Sequence, residues 1–172
     1  LGGSSCRIRS SHEPAPRLAR ARLGNPHTLR EVRPPVVGRE DELARATTVV
    51  RRVAEGSCAL LLVGEAGIGK TTLLDAVMDE ADTLGLRSLV ARPSEVETEL
   101  AFAGLADLFV TVESDDLAAL PRVRRSALEQ ALRRVEGAPA VDPLTVALAV
   151  LDALRQLADA SPVLVAVDDL QW

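Results

Sequence analysis

The sequence contains very few aromatic residues and no tyrosine. Two phenylalanines and one tryptophan account for the aromatic 2% of its 172 residues, whereas hydrophobic residues as a whole reach 47%. A core of this chain must therefore be built mainly from leucine, valine and alanine. Because few large rings are available to anchor it, we expect helices layered on a sheet. The length allows one domain of average size, with or without a short tail.

Long apolar runs, paired cysteines and an excess of positive charge are also missing. No apolar run approaches the roughly 18 residues that span a bilayer, and no signal peptide opens the sequence. Cys6 and Cys58 lie far apart, which predicts free thiols in a reducing cytoplasm. The net charge of −5 gives no general attraction to nucleic acid. We therefore expect a cytoplasmic protein with no membrane partner.

Lysine occurs only once, at Lys70, although the sequence has nineteen arginines. A compact ammonium group fits between phosphate oxygens, whereas the planar guanidinium of arginine prefers forked contacts. The position of this single lysine therefore suggests a phosphate site. The excess of arginine over lysine is itself typical of a biased genome composition.

Residues 1–35 differ in composition from the rest. They hold seven arginines, five prolines and glycine/serine clusters, without a sustained hydrophobic period. This composition predicts a disordered basic leader. A nucleic-acid-binding arm is the alternative, but no aromatic side chain interleaves the arginines to stack on bases. Because the sequence begins at Leu1 and has no initiator methionine, we also expect it to be a fragment.

Helical and strand-like patterns alternate from residue 36 onward and predict one α/β domain over residues 36–172. The expected helices carry one apolar face, and the expected strands are short continuous apolar runs. The helices are predicted at Arg39–Ala54, Lys70–Leu84, Leu100–Val110, Arg122–Val135 and Pro143–Ala158, and the strands at Ala59–Val63, Arg87–Ala91 and Val163–Val167. This alternation predicts a doubly wound parallel sheet with right-handed crossovers.

The strongest motif is a glycine-rich loop between the first predicted strand and the second predicted helix. It matches the Walker A pattern G-x-x-x-x-G-K-[ST] at every fixed position, with the residues Gly64, Glu65, Ala66, Gly67, Ile68, Gly69, Lys70 and Thr71, followed by Thr72. Glycines let successive backbone N–H groups point at a β-phosphate, and the helix directs its positive end at the same group. Lys70 adds charge toward the β- and γ-phosphates, and the Thr71 hydroxyl can ligate Mg²⁺. The motif predicts binding of a nucleoside triphosphate with magnesium.

A second motif follows the last predicted strand, about a hundred residues later. Asp168 and Asp169 end an apolar run at the carboxyl edge of the expected sheet, where ligands bind in such folds. We interpret Asp168 as the Walker B carboxylate that holds magnesium through water. Asp169 takes the position where hydrolytic enzymes usually carry glutamate to orient water. Because its side chain is one methylene shorter, we expect slow hydrolysis at most.

A third segment, Val37-Gly38-Arg39-Glu40, precedes the first helix. By itself it is a turn followed by a helix N-terminus with favourable acidic residues. Four further segments follow it in a fixed order along the sequence. They are the glycine-rich loop, Ala91-Arg92-Pro93-Ser94-Glu95, Phe102-Ala103-Gly104-Leu105 and Val167-Asp168-Asp169-Leu170-Gln171-Trp172. Over residues 36–172 this set resembles the N-terminal ATPase domain of the large ATP-binding LuxR-family regulators, a STAND branch of AAA-like P-loop NTPases.

The resemblance implies a three-layer α/β sandwich and an ATP switch. It implies that Val37, Gly38 and Arg39 lie beside the adenine. It also implies that the full-length protein self-associates and contacts DNA only through a C-terminal helix-turn-helix, which is absent here. The sequence departs from the family pattern by ending at Trp172, before the next expected strand. We therefore expect an incomplete sheet and marginal stability, because unpaired buried backbone groups cost about 1–3 kcal/mol each.

Two alternatives stay open from the sequence. One is a P-loop kinase or phosphotransferase, which needs an acceptor pocket and a lid rich in arginine or aromatic residues. The region between Pro93 and Pro162 reads instead as packed helices. The other alternative is a truncated product that has no independent activity. The sequence by itself does not separate ATP from GTP.

Overall fold

The computed structural model describes residues 7–14, 36–95, 102–132 and 141–169. Several predicted features lie outside these ranges. They are residues 1–6 and 15–35 of the leader, which include Cys6, residues 100–101 and 133–135 of two predicted helices, and residues 170–172 of the last motif. The chain forms two compact units, residues 1–88 and 89–172. Each unit is described separately below.

The elements of the described ranges follow one another in alternating order. The strands are β1 (Arg7–Pro14), β2 (Gly56–Val63), β3 (Arg87–Ala91) and β4 (Val163–Val167), and the helices are α1 (Glu40–Arg51), α2 (Lys70–Thr83), α3 (Ala103–Leu108), α4 (Arg122–Ala131) and α5 (Pro143–Ala160). Two short 3₁₀ helices are formed by Arg52–Glu55 and Asp115–Leu117. The predicted helices and strands are therefore confirmed in type and order, with ends that shift by a few residues.

The sheet differs from the single parallel sheet predicted. The described strands form two pairs: β1 with β2, which are antiparallel, and β3 with β4 in a small parallel sheet. In the first pair Arg7 lies opposite Val63, and Pro14 lies opposite Gly56. Residues 7–14 are thus a strand within a segment that composition predicts to be disordered. The physical reason is that the backbone N–H and C=O groups along an edge of β2 need partners, and an extended segment supplies them.

The first unit packs α1 and α2 against β2. Ala46 and Val50 of α1 are buried, as are Leu73 and Val77 of α2. Cys58 is a free thiol on the covered face of β2, 3.5 Å from the Val49 carbonyl oxygen, and burial raises its pKa. The opposite face carries Ala59, Leu61 and Val63, which are exposed, although a continuous apolar run of this kind is typical of a strand that is covered on both faces.

The end of α2 is fixed by Gly85, which directly follows the predicted helix Lys70–Leu84. Gly85 has φ +73°, its N–H donates to the Asp82 carbonyl at 3.0 Å, and the Leu86 N–H donates to the Ala81 carbonyl at 3.0 Å. These two bonds form a Schellman motif, which satisfies carbonyls that the helix itself leaves unpaired. The motif turns the chain into β3.

The second unit has a core of aliphatic side chains around one phenylalanine. Phe109 is fully buried in one cluster with leucine, valine and alanine side chains of β3, α3, α4, α5 and the 3₁₀ helix Asp115–Leu117, of which Leu89, Leu117 and Leu128 are themselves fully buried. Helix α5 begins at an Asp142 cap, whose carboxylate accepts from the Thr145 N–H at 2.8 Å and from its hydroxyl at 2.7 Å. In the described ranges no helix is long and apolar enough to span a membrane.

Candidate nucleotide site

The glycine-rich loop lies between β2 and α2, as the sequence predicts. Gly67 and Gly69 have φ +75° and +89°, and a Cβ added at Gly67 would meet nothing within 4 Å. This left-handed conformation costs other L-residues about 1–2 kcal/mol, so glycine is the residue that fits. The Ile68 N–H donates to the Glu65 carbonyl at 3.4 Å, which tightens the turn. The backbone therefore curls around open space at the start of a helix.

Helix α2 presents an uncapped N-terminus to that space. Gly69 precedes it and offers no side-chain cap, and the first turn contains no acidic residue. The first bond of the helix joins the Leu73 N–H to the Gly69 carbonyl at 3.1 Å. The N–H groups of Lys70, Thr71 and Thr72 precede it, in the turn where an α-helix has no carbonyl partners of its own. This 14-residue helix end favours an anion, because its N–H groups and its dipole act together.

The ammonium group of Lys70 lies against the loop itself. Its Nζ donates to the Gly64 carbonyl at 3.1 Å and to the Glu65 carbonyl at 3.0 Å. These two bonds hold the only lysine of the chain at the entrance of the loop, with the third N–H direction left for another acceptor. Glu65, Ala66, Gly67 and Thr71 are exposed, whereas Thr72 is half-buried.

Arg39 is next to the same loop. A Cβ built on Gly69 would lie 4.0 Å from Arg39 Nε, which is van der Waals contact. Arg39 Nη1 is buried, and it has no hydrogen-bond partner among the described residues. A buried unpaired donor of this kind costs about 1–3 kcal/mol. The sequence placed Arg39 near the nucleotide only through a family resemblance, and no sequence signal indicates this contact with Gly69.

The residues around Arg39 form a short turn. Gly38 has φ +73°, and its N–H donates to Glu40 Oε1 at 3.0 Å. Hydrogen bonds from the N–H groups of Glu40 itself and of Gly38 lower the pKa of the Glu40 carboxyl. Val37 is 80% exposed. The turn therefore engages the carboxylate of Glu40 with its own backbone and presents the Val37 side chain to solvent.

Asp168 and Asp169 belong to the second unit, where they directly follow β4. The Asp168 N–H donates to the Ala91 carbonyl at 3.0 Å, which extends the β3–β4 pairing by one bond. The Asp168 side chain is buried, and its Oδ1 accepts from the Asp169 N–H at 3.1 Å. Asp169 is exposed and has φ +50°, a left-handed conformation that aspartate tolerates better than most residues. A buried carboxylate requires compensation by donors or a cation, which suits a metal-binding role for Asp168.

The donor set fits magnesium better than a metal held entirely by protein. In the described ranges no three His, Cys, Asp or Glu side chains form a metal-binding group. Magnesium usually takes one or two protein oxygens and completes its shell with water and phosphate oxygens. In the first unit the Thr71 hydroxyl is an oxygen of this kind, and in the second unit the Asp168 carboxylate is another. Gly67, Gly69, Lys70 and the start of α2 fit the phosphate chain that would accompany the metal.

An open groove on the second unit has a different chemistry. Its volume is about 430 Å³, and its lining is apolar: Phe102, Leu105, Pro143, Val146, Ala147, Val150 and Leu151. No hydroxyl, amide or charged side chain lines it, so it offers nothing to orient a polar substrate. Sequence reasoning did not predict this groove, although the apolar character of α5 was recognised.

The comparisons with known proteins agree with the loop geometry. A family model described as an AAA ATPase domain matches residues 35–172, which is well over half of the chain. Neither the curated proteins nor the solved structures give a match. The match supports a P-loop α/β domain that binds nucleotide, and domains of this kind typically bind ATP and Mg²⁺.

Proposed function

The chain belongs to the AAA ATPase domain family, and on that premise we propose that residues 36–172 bind ATP with Mg²⁺ as a regulatory switch. The observation that carries this proposal is the left-handed Gly67 and Gly69 at the uncapped start of α2, beside the Lys70 ammonium. The phosphate contacts are assigned to Gly64–Thr72, and Val37, Gly38 and Arg39 complete the nucleotide site. The first assignment rests on the motif and on the left-handed glycines, whereas the second rests on the family resemblance and, for Arg39, on its position beside Gly69.

The test of nucleotide binding is the melting temperature with and without ATP and Mg²⁺. A ligand that binds only the folded state raises stability by about 2.7 kcal/mol at a hundred times its Kd. We expect this shift for the native chain and its loss in Lys70→Ala, because the ammonium contacts to phosphate are removed. Lys70→Arg is the matched control for charge, and it should recover only part of the shift, because a guanidinium does not fit as a point charge. An equal shift in Lys70→Ala would refute the assignment.

We propose Thr71 and Asp168 as the magnesium ligands. Asp168→Asn keeps the shape of the side chain and removes its charge, so the Mg²⁺ concentration required for ATP binding should rise. Binding of ATP without metal should change little. Asp169→Asn is the matched control, because it removes the same charge one residue later. An unaltered Mg²⁺ requirement in Asp168→Asn, measured by ATP titration at varied Mg²⁺, would exclude this role.

The regulatory part of the proposal rests on the order of the motifs. We propose that this chain is the ATPase part of a LuxR-type transcriptional regulator of the STAND class and acts in the cytoplasm. The full-length protein would self-associate in its ATP state and contact DNA through a separate domain. Asp169, which is proposed to orient water, supports slow hydrolysis at most, because its carboxylate is one methylene shorter than that of glutamate.

A phosphotransferase is the runner-up, and the structure offers it little support. Such an enzyme needs polar groups that orient an acceptor beside the phosphate, whereas the groove on the second unit is lined by apolar side chains. A product with no independent activity is the remaining alternative. The melting-temperature test with ATP and Mg²⁺ distinguishes this alternative, since an inactive chain would show no ATP-dependent rise in melting temperature.

A further inference from the structure

Arg39 combines an unpaired buried donor with a position against the glycine loop. Its Nη1 is buried without an acceptor among the described residues, and its Nε lies 4.0 Å from the position of a Cβ on Gly69. Gly69 immediately precedes Lys70, the residue whose ammonium marks the phosphate end of the loop. The guanidinium is therefore held beside the phosphate-binding backbone.

The acidic residues next to Arg39 do not provide the missing acceptor. Glu40, Asp41 and Glu42 form the first turn of α1, immediately after Arg39. The Glu40 carboxylate accepts from the Gly38 N–H at 3.0 Å, and none of the three is an acceptor for Nη1. Arg39 Nη1 therefore remains available for another acceptor, although three acidic residues follow Arg39 in the sequence. Gly69 of the glycine loop lies next to the guanidinium.

From this geometry we infer that Arg39 is a phosphate-reading residue of the nucleotide site and sets affinity for the phosphate chain rather than for the base. A guanidinium presents forked donors that match phosphate oxygens. Arg39 would then add a second cation to Lys70, on the side of the loop where Gly69 has no side chain. Gly69 is required there for two reasons, its left-handed φ of +89° and the approach of Arg39. This inference rests on the proposed function of the loop.

The experiment compares three ligands that share phosphates and differ in base: ATP, GTP and inorganic tripolyphosphate, each with Mg²⁺. Affinities are measured by direct titration or by displacement of a fluorescent nucleotide from the full chain. Arg39→Met retains the apolar stem and removes the donors. We expect it to weaken all three ligands by a similar factor, about tenfold to a hundredfold, as for a lost hydrogen bond between charged groups. Arg45→Ala removes an exposed arginine from helix α1, which begins directly after Arg39, and should leave all three affinities unchanged.

The melting temperature of the ligand-free Arg39→Met variant supplies a second readout. Because Nη1 has no acceptor in the described structure, its removal should not lower that temperature. A loss confined to ATP, with GTP and tripolyphosphate unaffected, would assign Arg39 to the base and overturn the inference. Unchanged affinities for all three ligands in Arg39→Met would overturn it as well. Failure of the native chain to bind any of them would instead overturn the proposed function, and this inference with it.

Discussion

Gly67 and Gly85 are two residues with nearly the same backbone and different surroundings. Their φ values are +75° and +73°, and a Cβ on either would meet nothing within 4 Å. Alanine at each position should therefore lower the free energy of unfolding by a similar amount, about 1–2 kcal/mol, through left-handed strain alone. Only the Cβ at residue 67 would enter the space where we place phosphate. We expect Gly67→Ala to weaken ATP about tenfold or more, since it obstructs the close backbone approach.

Gly85→Ala is the matched control for that prediction, because it introduces the same strain at the end of α2. Chemical denaturation gives the stability change, and titration at a temperature where both variants are folded gives the affinity. Equal loss of affinity in the two variants would mean that global destabilisation, rather than obstruction of the loop, determines the effect.

At the residue scale, the place of the glycine-rich loop between a strand and a helix could be predicted from the sequence, whereas the surroundings of Arg39 could not. The positions of Gly64, Gly69 and Lys70 follow from a motif whose spacing reflects phosphate geometry, so they could be assigned without coordinates. The lack of a hydrogen-bond acceptor for Arg39 Nη1 could not be predicted in this way. It depends on which donor each acidic side chain binds, as when the Glu40 carboxylate accepts from the Gly38 N–H. Such pairing is decided by three-dimensional packing and not by residue type.

At the element scale, α5 shows how one cap controls a helix. The hydrogen bond from the Thr145 hydroxyl, followed by that from its N–H, lowers the pKa of the Asp142 carboxyl. A carboxyl with a lowered pKa stabilises the fold at pH values above its ordinary value of about 3.9, and the contribution disappears as pH falls through the folded pKa. We expect Asp142→Ala to reduce the melting temperature at neutral pH, because first-turn donors lose their acceptor.

The difference in melting temperature between the native chain and Asp142→Ala should remain constant above about pH 4 and become smaller below it. Melting curves across that range measure it. Asp159→Ala is the control, since it removes a carboxylate from the opposite end of the same helix, where the dipole disfavours negative charge. A loss in Asp159→Ala as large as that in Asp142→Ala would contradict a capping origin.

The strands show where element prediction fails. The runs that became β2, β3 and β4 were recognised because they are short and continuously apolar. Strand β1 was not, because its arginines, serines and proline resemble disordered chain in composition. A strand next to an available edge needs extended backbone more than apolar side chains, and composition does not measure that. The pairing of Arg7–Pro14 with Gly56–Val63 is therefore a property of the partner strand as much as of β1.

At the scale of the whole molecule, net charge leads to a prediction about DNA. The chain carries −5, so its average field repels the phosphate backbone. We expect no binding to duplex DNA at roughly physiological salt, measured by fluorescence anisotropy. A binding signal that falls steeply with salt would contradict this expectation. Deleting residues 1–35 would then test whether the seven arginines of that segment are responsible.

The two hydrogen bonds from Lys70 to the loop backbone affect which anions of the cell the loop prefers. The ammonium already has the carbonyls of Gly64 and Glu65 as acceptors, at 3.1 and 3.0 Å. One N–H remains for another acceptor, so an incoming ion that is to take more than one bond from that cation must displace the loop's own oxygens and lose their bonds. Sulfate or orthophosphate, with a single tetrahedral centre, can offset little of this loss. A polyphosphate is long enough to contact the ammonium and the helix end together, so we expect the loop to bind a polyphosphate more tightly than these abundant small ions.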